Sequence, residues 1–373
     1  MNLSYWDIKT WITDIDFTIV GSGIVGLSCA LELRQQYPQS KIVVLEKGML
    51  PQGASTKNAG FACFGSLSEI IEDLKTHSEE DVLELVSKRI NGLRLLRHTL
   101  GDKPIAYRQH GGYELFLKDD KALYEQCNAH KDAINKLFWP LFKDCVFSFE
   151  DNQFGFKNSL KKIGYNKFEG QIDTGKMMQA LLNKVSTSGI NILNNCHVTS
   201  IEEGSHKVHI NTTNFSLTSK KVFVATNGFA GQLINEHVKP ARAQVLITKP
   251  IDNLHIKGTF HLDKGYYYFR NIDERLLFGG GRNLDFKGEE TTEFGETELI
   301  QNKLEELLRS TILPDTHFEI EHRWSGIMGV GDQKRPIVKP LSSNVFCGVR
   351  LGGMGVAIGS TVGRDLANLM QCT

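Results

Sequence analysis

Residues 16–46, DFTIVGSGIVGLSCALELRQQYPQSKIVVLE, pass from a β-branched apolar run through a glycine turn to a segment apolar around most of its circumference, then back to an apolar run. The pattern predicts strand, turn, helix and strand, a βαβ unit, with Val25, Leu27, Ala30, Leu31 and Leu33 of the helix packed on a sheet. Downstream, Ser66 and Glu69 have the spacing of a capping box. Ser78 then precedes a helical stripe of Val82, Leu85, Val86, Ile90, Leu93 and Leu96 that should end near Leu100. From Ile105 the period breaks into short runs such as GGYELFL. Helix and strand return over 171–226, in TGKMMQALLNKVSTSG, INILNNCHVTSIEE, KVHINTT and KKVFVATNG, and 241–281 is strand-rich. A polar helix is expected at about 293–310, and NVFCGVRLGGMGVAIGSTVGRDLANLM reads as strand, glycine-rich turn and helix. A nucleotide-type α/β layer thus occurs three times, interrupted twice by sheet-rich segments. The expected architecture is α/β with an α+β second domain, the two interleaved: 1–85, 165–235 and 320–373 in one, 86–164 and 236–319 in the other.

Length supports two domains, since 373 residues exceed a single core of ordinary size. Lysine plus arginine equals aspartate plus glutamate at 43 each, so no net field favours nucleic acid or an anionic membrane, and neither partner is expected. Cys29, Cys63, Cys127, Cys145, Cys196, Cys347 and Cys372 are scattered, odd in number and without a C-x-x-C pair. That speaks against a disulfide framework or a zinc site and for a reducing compartment. The start, MNLSYWDIKTWITDIDF, carries Asp7, Lys9 and Asp14 and has no apolar h-region, and no apolar run reaches the roughly 18 residues of a spanning helix. A cytoplasmic protein without bound metal is the expectation.

Gly21, Gly23 and Gly26 form G-x-G-x-x-G around Ser22 and Ile24 between the first strand and its helix, and Glu46, followed by Lys47, ends the second strand 20 residues after Gly26. Glycines there permit a tight turn and close approach of a pyrophosphate to a helix N-terminus, while the carboxylate accepts hydrogen bonds from a ribose diol. Glu46 disfavours a 2′-phosphate, leaving NAD or FAD. An NAD fold would usually finish in one piece, whereas this chain returns to glycine-rich turns at ATNGFAG and GVRLGGMGVAIG.

The ordered set of motifs resembles the FAD-dependent D-amino-acid oxidase superfamily, which includes glycine oxidase, sarcosine oxidase and γ-glutamylputrescine oxidase-like enzymes. SYWD is similar to the leader of the last group, and IVGSGIVGLSCALEL with VVLEKG to the dinucleotide fingerprint. GASTKNAGF resembles the flavin loop, VFVATNGFAGQL the second nucleotide strand, RWSGIMGVGDQKRPIV the tryptophan-glycine segment and GGMGVA the closing turn. The resemblance implies a Rossmann-like FAD-binding domain of the glutathione-reductase type interleaved with a sheet-rich substrate domain. It implies cofactor contacts at Ser55, Lys57, Asn58, Ala59 and Gly60, at Val198 beside the adenine, at Ala225, Thr226, Asn227 and Gly228, and at Gly326. Gly352, Gly353, Met354, Gly355 and Val356 would aim a helix N-terminus at the flavin C2 carbonyl, where negative charge develops on reduction. Phe61 would stand on the substrate side.

The implied activity is oxidation of a CH–NH bond in an amino acid or secondary amine by hydride transfer to flavin N5, the imine then hydrolysing and oxygen or another acceptor reoxidising the flavin. No side-chain nucleophile is expected. Two departures bear on this. The position of the family's carboxylate-binding arginine is Met328, which turns attention to Arg350, Arg270 and Tyr267 of the Tyr266-Tyr267-Tyr268 run as substrate candidates. No cysteine lies between Cys196 and Cys347, and Lys57-Asn58 stand where a tethering histidine would be needed, so FAD should be non-covalent. Lys57 reads as a phosphate or ribityl contact or as a charge that assists oxygen, Cys63 as a buried thiol and His110 as a loop histidine. The rivals are a 2-hydroxy-acid or glycerol-phosphate-type dehydrogenase, a flavin-binding protein without turnover, and an oxidoreductase acting on tRNA, which the balanced charge disfavours.

Overall fold

Four parallel strands lie side by side in the first sheet, and the inner two, Ile15–Val20 and Ile42–Leu45, are buried along nearly their whole length because both of their faces are covered. The four are Ile15–Val20, Ile42–Leu45, Asn191–Leu193 and Ser216–Val224, joined by Val345–Val349 on the far side, in a computed structural model that describes residues 2–371. Cys372 lies outside the described residues. Val20 pairs with Leu45 on one side and Val224 on the other, so three strand ends reach the same level. One face carries Leu27 and Leu33 of the helix Ile24–Gln36, Met177 and Leu181 of Thr174–Thr187, and Val362 and Leu366 of Gly355–Asn368. The other is covered by the antiparallel strands Val198–Glu203 and Val208–Thr212 through Val198, Val208 and Ile210.

A second, mainly antiparallel sheet runs in the order Ile320–Val330, Lys239–Thr248, Arg275–Gly280, Tyr267–Ile272, Thr259–Leu262, Gly112–Glu114, Lys162–Asn166 and Phe147–Asp151. Two expected boundaries shift. Strand Ile320–Val330 pairs with Lys239–Thr248, Ser325 opposite Gln244, and so belongs to this sheet rather than to the nucleotide layer that was expected to resume at 320. Helix Glu79–Leu100, capped by Ser78 as expected, crosses the boundary at 86 and lies against Gly355–Asn368, with Gly92 beneath the Ala357 carbonyl. Between 105 and 150 the short apolar runs hide a 22-residue helix, Lys121–Phe142, whose Cys127, Ile134 and Phe138 pack with Phe116 and Phe147. The capping box predicted at Ser66 and Glu69 is formed and opens Leu67–Leu74.

Candidate active site

At the carboxyl ends of the parallel strands opens a cleft of about 1190 Å³, lined from both sheets. Its floor starts at Gly21, Ser22, Gly23 and Ile24. Gly21 sits at φ +105, and a Cβ on Gly26 would lie 2.0 Å from the Gly21 carbonyl oxygen, so helix and turn touch backbone to backbone. Gly26 is therefore a packing residue behind the turn and does not line the cleft. Glu46 is buried on the wall: its Oε2 accepts from Ser22 N at 3.1 Å and Ser22 Oγ at 2.7 Å, and its Oε1 from Gly48 N at 3.0 Å. Lys47 and Val198 stand on the same end of the cleft.

From there the segment Gly53–Gly60 crosses the floor, and its fastenings lie behind it. Ser55 Oγ accepts from Ile24 N at 3.0 Å, Asn58 Nδ2 donates to Ser55 O at 2.8 Å, and Thr174 Oγ1 donates to Asn58 Oδ1 at 2.9 Å. Trp324 Nε1 donates to Lys57 O at 2.9 Å, and Arg270 Nε donates to Ala59 O. Gly60, at φ +74, has no room for a side chain: a Cβ would fall 2.4 Å from Ile172 O. The Thr56, Lys57, Asn58 and Gly60 amides are bonded within the loop, to Gly53 O, Ala54 O, Ala54 O and Asn58 Oδ1, so the loop is a tightly fastened, mostly small-residue floor to the cleft. Trp324→Phe removes the bond to Lys57 O without disturbing the strand. A two- to ten-fold rise in the FAD dissociation constant is expected, from a bond worth about 1 kcal/mol. Fluorescence titration of apoprotein with FAD measures it.

The third wall is the closing turn. Leu351 N donates to Asn227 Oδ1 at 3.1 Å and Gly352 N to Gly329 O at 2.9 Å, which ties the second nucleotide strand, the tryptophan-glycine strand and the turn together. Gly352, Gly353, Met354, Gly355 and Val356 line the cleft, and helix Gly355–Asn368 begins there with no side-chain cap on its first amides. Ala225, Thr226, Asn227 and Gly326 also line it, and Thr226 Oγ1 is buried without a partner. Gly228 does not; it packs under the Met328 carbonyl. A loop of mostly small residues, two helix N-termini and an orphan hydroxyl in one cleft fit a long dinucleotide with a polar ring edge.

Beyond Gly60 the wall becomes aromatic and ionisable. The Phe61 ring meets Tyr268 edge-on at 5.7 Å and His261 at 5.2 Å, and all three line the cleft. Tyr267 does not: it points to the opposite side of its strand, into the core with Phe278 and Ile300. Arg270 shares the Tyr268 face but is buried beneath Ala59 and Gly60, where loss of water lowers its pKa to about 10. It is a fastener of the loop and no substrate ligand. Arg350 does line the cleft, with Nε and Nη2 both donating to the Arg335 carbonyl at 3.1 and 3.0 Å. Arg282, which the sequence did not single out, also lines it. It stacks on Phe286; Glu289 and Glu290 are near enough to favour its charge, but among the described residues it has no ion pair within 4 Å.

Next to Phe61 a set of buried charges was equally hidden in the sequence. Burial alone would push the His261 imidazole down, but Cys63 and Glu69 beside it hold its pKa well above the ordinary value. Burial works against the Glu69 carboxylate too, yet His261 and Lys334 bring it to about 2. Glu169, buried with only the Phe64 and Gly65 amides on it, is pushed up to about 7. Between the ordinary glutamate range and about 7 the folded chain retains a proton there that the unfolded chain has lost, so stability falls as pH rises through that window. Glu169→Gln should remove this slope, melting above the parent protein at about pH 8 and level with it near pH 5. Parallel curves in thermal melts would contradict the assignment.

With this geometry in hand, a profile of the FAD dependent oxidoreductase family, DAO, matches residues 16–369. The chain belongs to that family, and its cofactor is FAD, bound non-covalently. Among curated proteins it is similar to the probable oxidoreductase OrdL of Haemophilus influenzae, 21% identical over 96% of this chain and 83% of that one. Among solved structures it resembles L-proline dehydrogenase from P. horikoshii, at a TM-score of 0.76 and 16% identity over 97% of this chain and 94% of that one. It also resembles glycine oxidase from Geobacillus kaustophilus, at 0.75 and 19% over 96% and 95%. At these identities the structures establish the fold.

Proposed function

We propose that the protein oxidises the CH–NH bond of an amino acid or secondary amine at the end of the cleft marked by Phe61 and Tyr268. Bound FAD supplies the hydride acceptor. The chain's own part is to place the cofactor and enclose the substrate. Gly21, Ser22, Gly23 and Ile24 would face the pyrophosphate, Glu46 the ribose and Val198 the adenine. Ser55, Lys57, Asn58, Ala59 and Gly60 would follow the cofactor inward, with the amides at Gly355 and Val356 toward the ring edge that gains charge.

The observation that carries the amine reading is the charge at the substrate end. Glu69 lines the cleft beside Phe61, with Glu114 and Glu169 close behind, an environment that favours an approaching ammonium over a hydroxyl. Arg282, which lines the cleft and has no ion pair within 4 Å among the described residues, supplies a fork for a substrate carboxylate in place of the arginine missing at Met328. The names of the structural relatives support this class, two being an L-proline dehydrogenase and a glycine oxidase. No helix among the described residues is long and apolar enough to cross a membrane. The described cysteines are all free thiols, which suits a cytoplasmic setting. The test is anaerobic addition of amino acids, N-methyl amino acids, polyamine derivatives and 2-hydroxy acids to the yellow protein. Bleaching by members of the amine set alone is expected; bleaching by hydroxy acids alone would replace this reading with the dehydrogenase one.

A further inference from the structure

Behind Phe61, at the end of the cleft, lies a nest of ionisable side chains. At its centre His261, on strand Thr259–Leu262, is 6% exposed, and neither ring nitrogen has a hydrogen-bond partner. Nδ1 lies 3.5 Å from Glu69 Oε2, an ion pair without hydrogen-bond geometry. The ring stands in the wall between two spaces. One is the cleft; the other is a small pocket of about 10 Å³, room for no more than one water, whose lining includes Glu114 and Glu169.

The groups facing this imidazole come from every element around it. Cys63 belongs to the segment after the flavin loop, Glu69 to helix Leu67–Leu74, Glu114 to strand Gly112–Glu114, and Glu169 to the turn before strand Gly170–Gln171. Arg89 enters from helix Glu79–Leu100 and donates through Nη1 to Phe64 O at 2.7 Å. Asp73, farther along the same wall, is neutralised by Lys334 at 2.5 Å. The buried inventory next to His261 is therefore three carboxyl groups, Glu69, Glu114 and Glu169, against two cations, Arg89 and His261 itself. Glu69 is the one paired with His261. Glu114 is held by Ser66 Oγ, Ser68 N and Ser68 Oγ, whereas Glu169 has only the two backbone amides. Charge imbalance thus falls on Glu169, the group across the small pocket. It is poised at about 7, ionised in part at neutral pH, as a proton acceptor must be.

An aliphatic amine arrives as an ammonium, since such groups titrate near roughly 10. Its carbon can release hydride only once the nitrogen lone pair is free to form C=N. We propose that His261 is a proton relay for the substrate amine, taking the ammonium proton from the cleft and handing one on to Glu169 across the small pocket. The imidazolium first gives a ring proton to the Glu169 carboxylate, directly or through one water. The ammonium N–H bond then breaks, its electron pair stays on nitrogen, and the proton bonds to the vacated ring nitrogen. The net change is ammonium plus carboxylate to amine plus carboxylic acid, with no electron transferred. Glu69, beside the ring, makes the cation its resting state, to which the second transfer returns it. This rests on the amine reading of the cleft.

Two measurements on the FAD-loaded protein test it. In ¹⁵N-histidine NMR, His261 should be doubly protonated at a pH where exposed histidines are neutral, and Glu169→Gln should shift its titration. A neutral His261, or one that Glu169→Gln leaves unmoved, overturns the relay whatever the substrate proves to be. The second is the pH profile of anaerobic flavin reduction by an amine. The parent rate should rise through about pH 7. In both His261→Asn and Glu169→Gln that limb should move to the amine's own range, with a loss on the order of 100-fold at pH 7 that recovers as pH rises. A uniform loss with the limb still near pH 7 marks a merely structural role and overturns the relay. If no amine reduces the flavin, the amine reading fails and takes the relay with it, while the ion pair seen by NMR would stand.

Discussion

Gly26→Ala is expected to yield protein without yellow colour and with a strongly lowered melting temperature. The added Cβ would lie 2.0 Å from the Gly21 carbonyl oxygen and 3.1 Å from both Gly21 C and Ile19 Cγ2. The nearest obstacle is backbone, so no rotamer change relieves it, and the turn that must follow a pyrophosphate has to open. Overpacking of this kind costs about 1–3 kcal/mol even where side chains can yield. The control is Gly231→Ala, where a Cβ meets nothing nearer than Val238 O at 4.0 Å; it should bind FAD like the parent protein. The FAD-to-protein ratio after purification, with a thermal melt, reads both. A yellow, normally stable Gly26→Ala protein would mean that the turn does not hold the cofactor.

Arg270→Met is expected to weaken FAD binding by about ten- to a hundred-fold while leaving far-ultraviolet circular dichroism unchanged. Arg270 is 2% exposed, its Nε donates to Ala59 O, and its Nη2 would be 2.7 Å from any Cβ on Gly60. Methionine fills much of the volume but leaves the Ala59 carbonyl without its donor, at about 1–3 kcal/mol. Lysine is no remedy, since its single ammonium cannot reproduce the direction of the Nε–H. Were Arg270 a substrate ligand, the same variant would raise KM and leave FAD affinity alone. Equilibrium binding of FAD to the apoprotein separates the two.

Arg270 also shows where sequence ceases to be legible. The glycine turn, Glu46 and the loop 53–60 can be read because their chemistry depends on residues close together in the chain: small side chains, a strand end, a fixed spacing. Which side of a strand faces a cleft depends on pairing with distant segments. Tyr267 stands opposite Gly280 and faces the core, so Tyr268 takes the place on the wall, and Arg270 on the same side ends beneath the loop. The His261 nest has the same origin, since Thr259–Leu262 runs parallel to Gly112–Glu114 across some 150 residues of sequence and sets His261 opposite Glu114. Helix Lys121–Phe142 was obscured for a local reason. Its end, LFWPLF, reads as one more short apolar run, and Pro140 sits in its last turn. The strand at 320, expected in the nucleotide layer, does meet the flavin loop. It does so from the other sheet, through Trp324 and Lys57.

The central claim is that this cleft oxidises a C–H bond next to nitrogen. Its most direct test is a single anaerobic turnover of the FAD-loaded protein with an amine deuterated at that carbon, following the flavin band and the products together. Bleaching slowed several-fold by deuterium, with carbonyl product and free amine or ammonia formed in step with the flavin reduced, is the expected result. Bleaching without an isotope effect and without nitrogen release, or no bleaching by any amine, would contradict it.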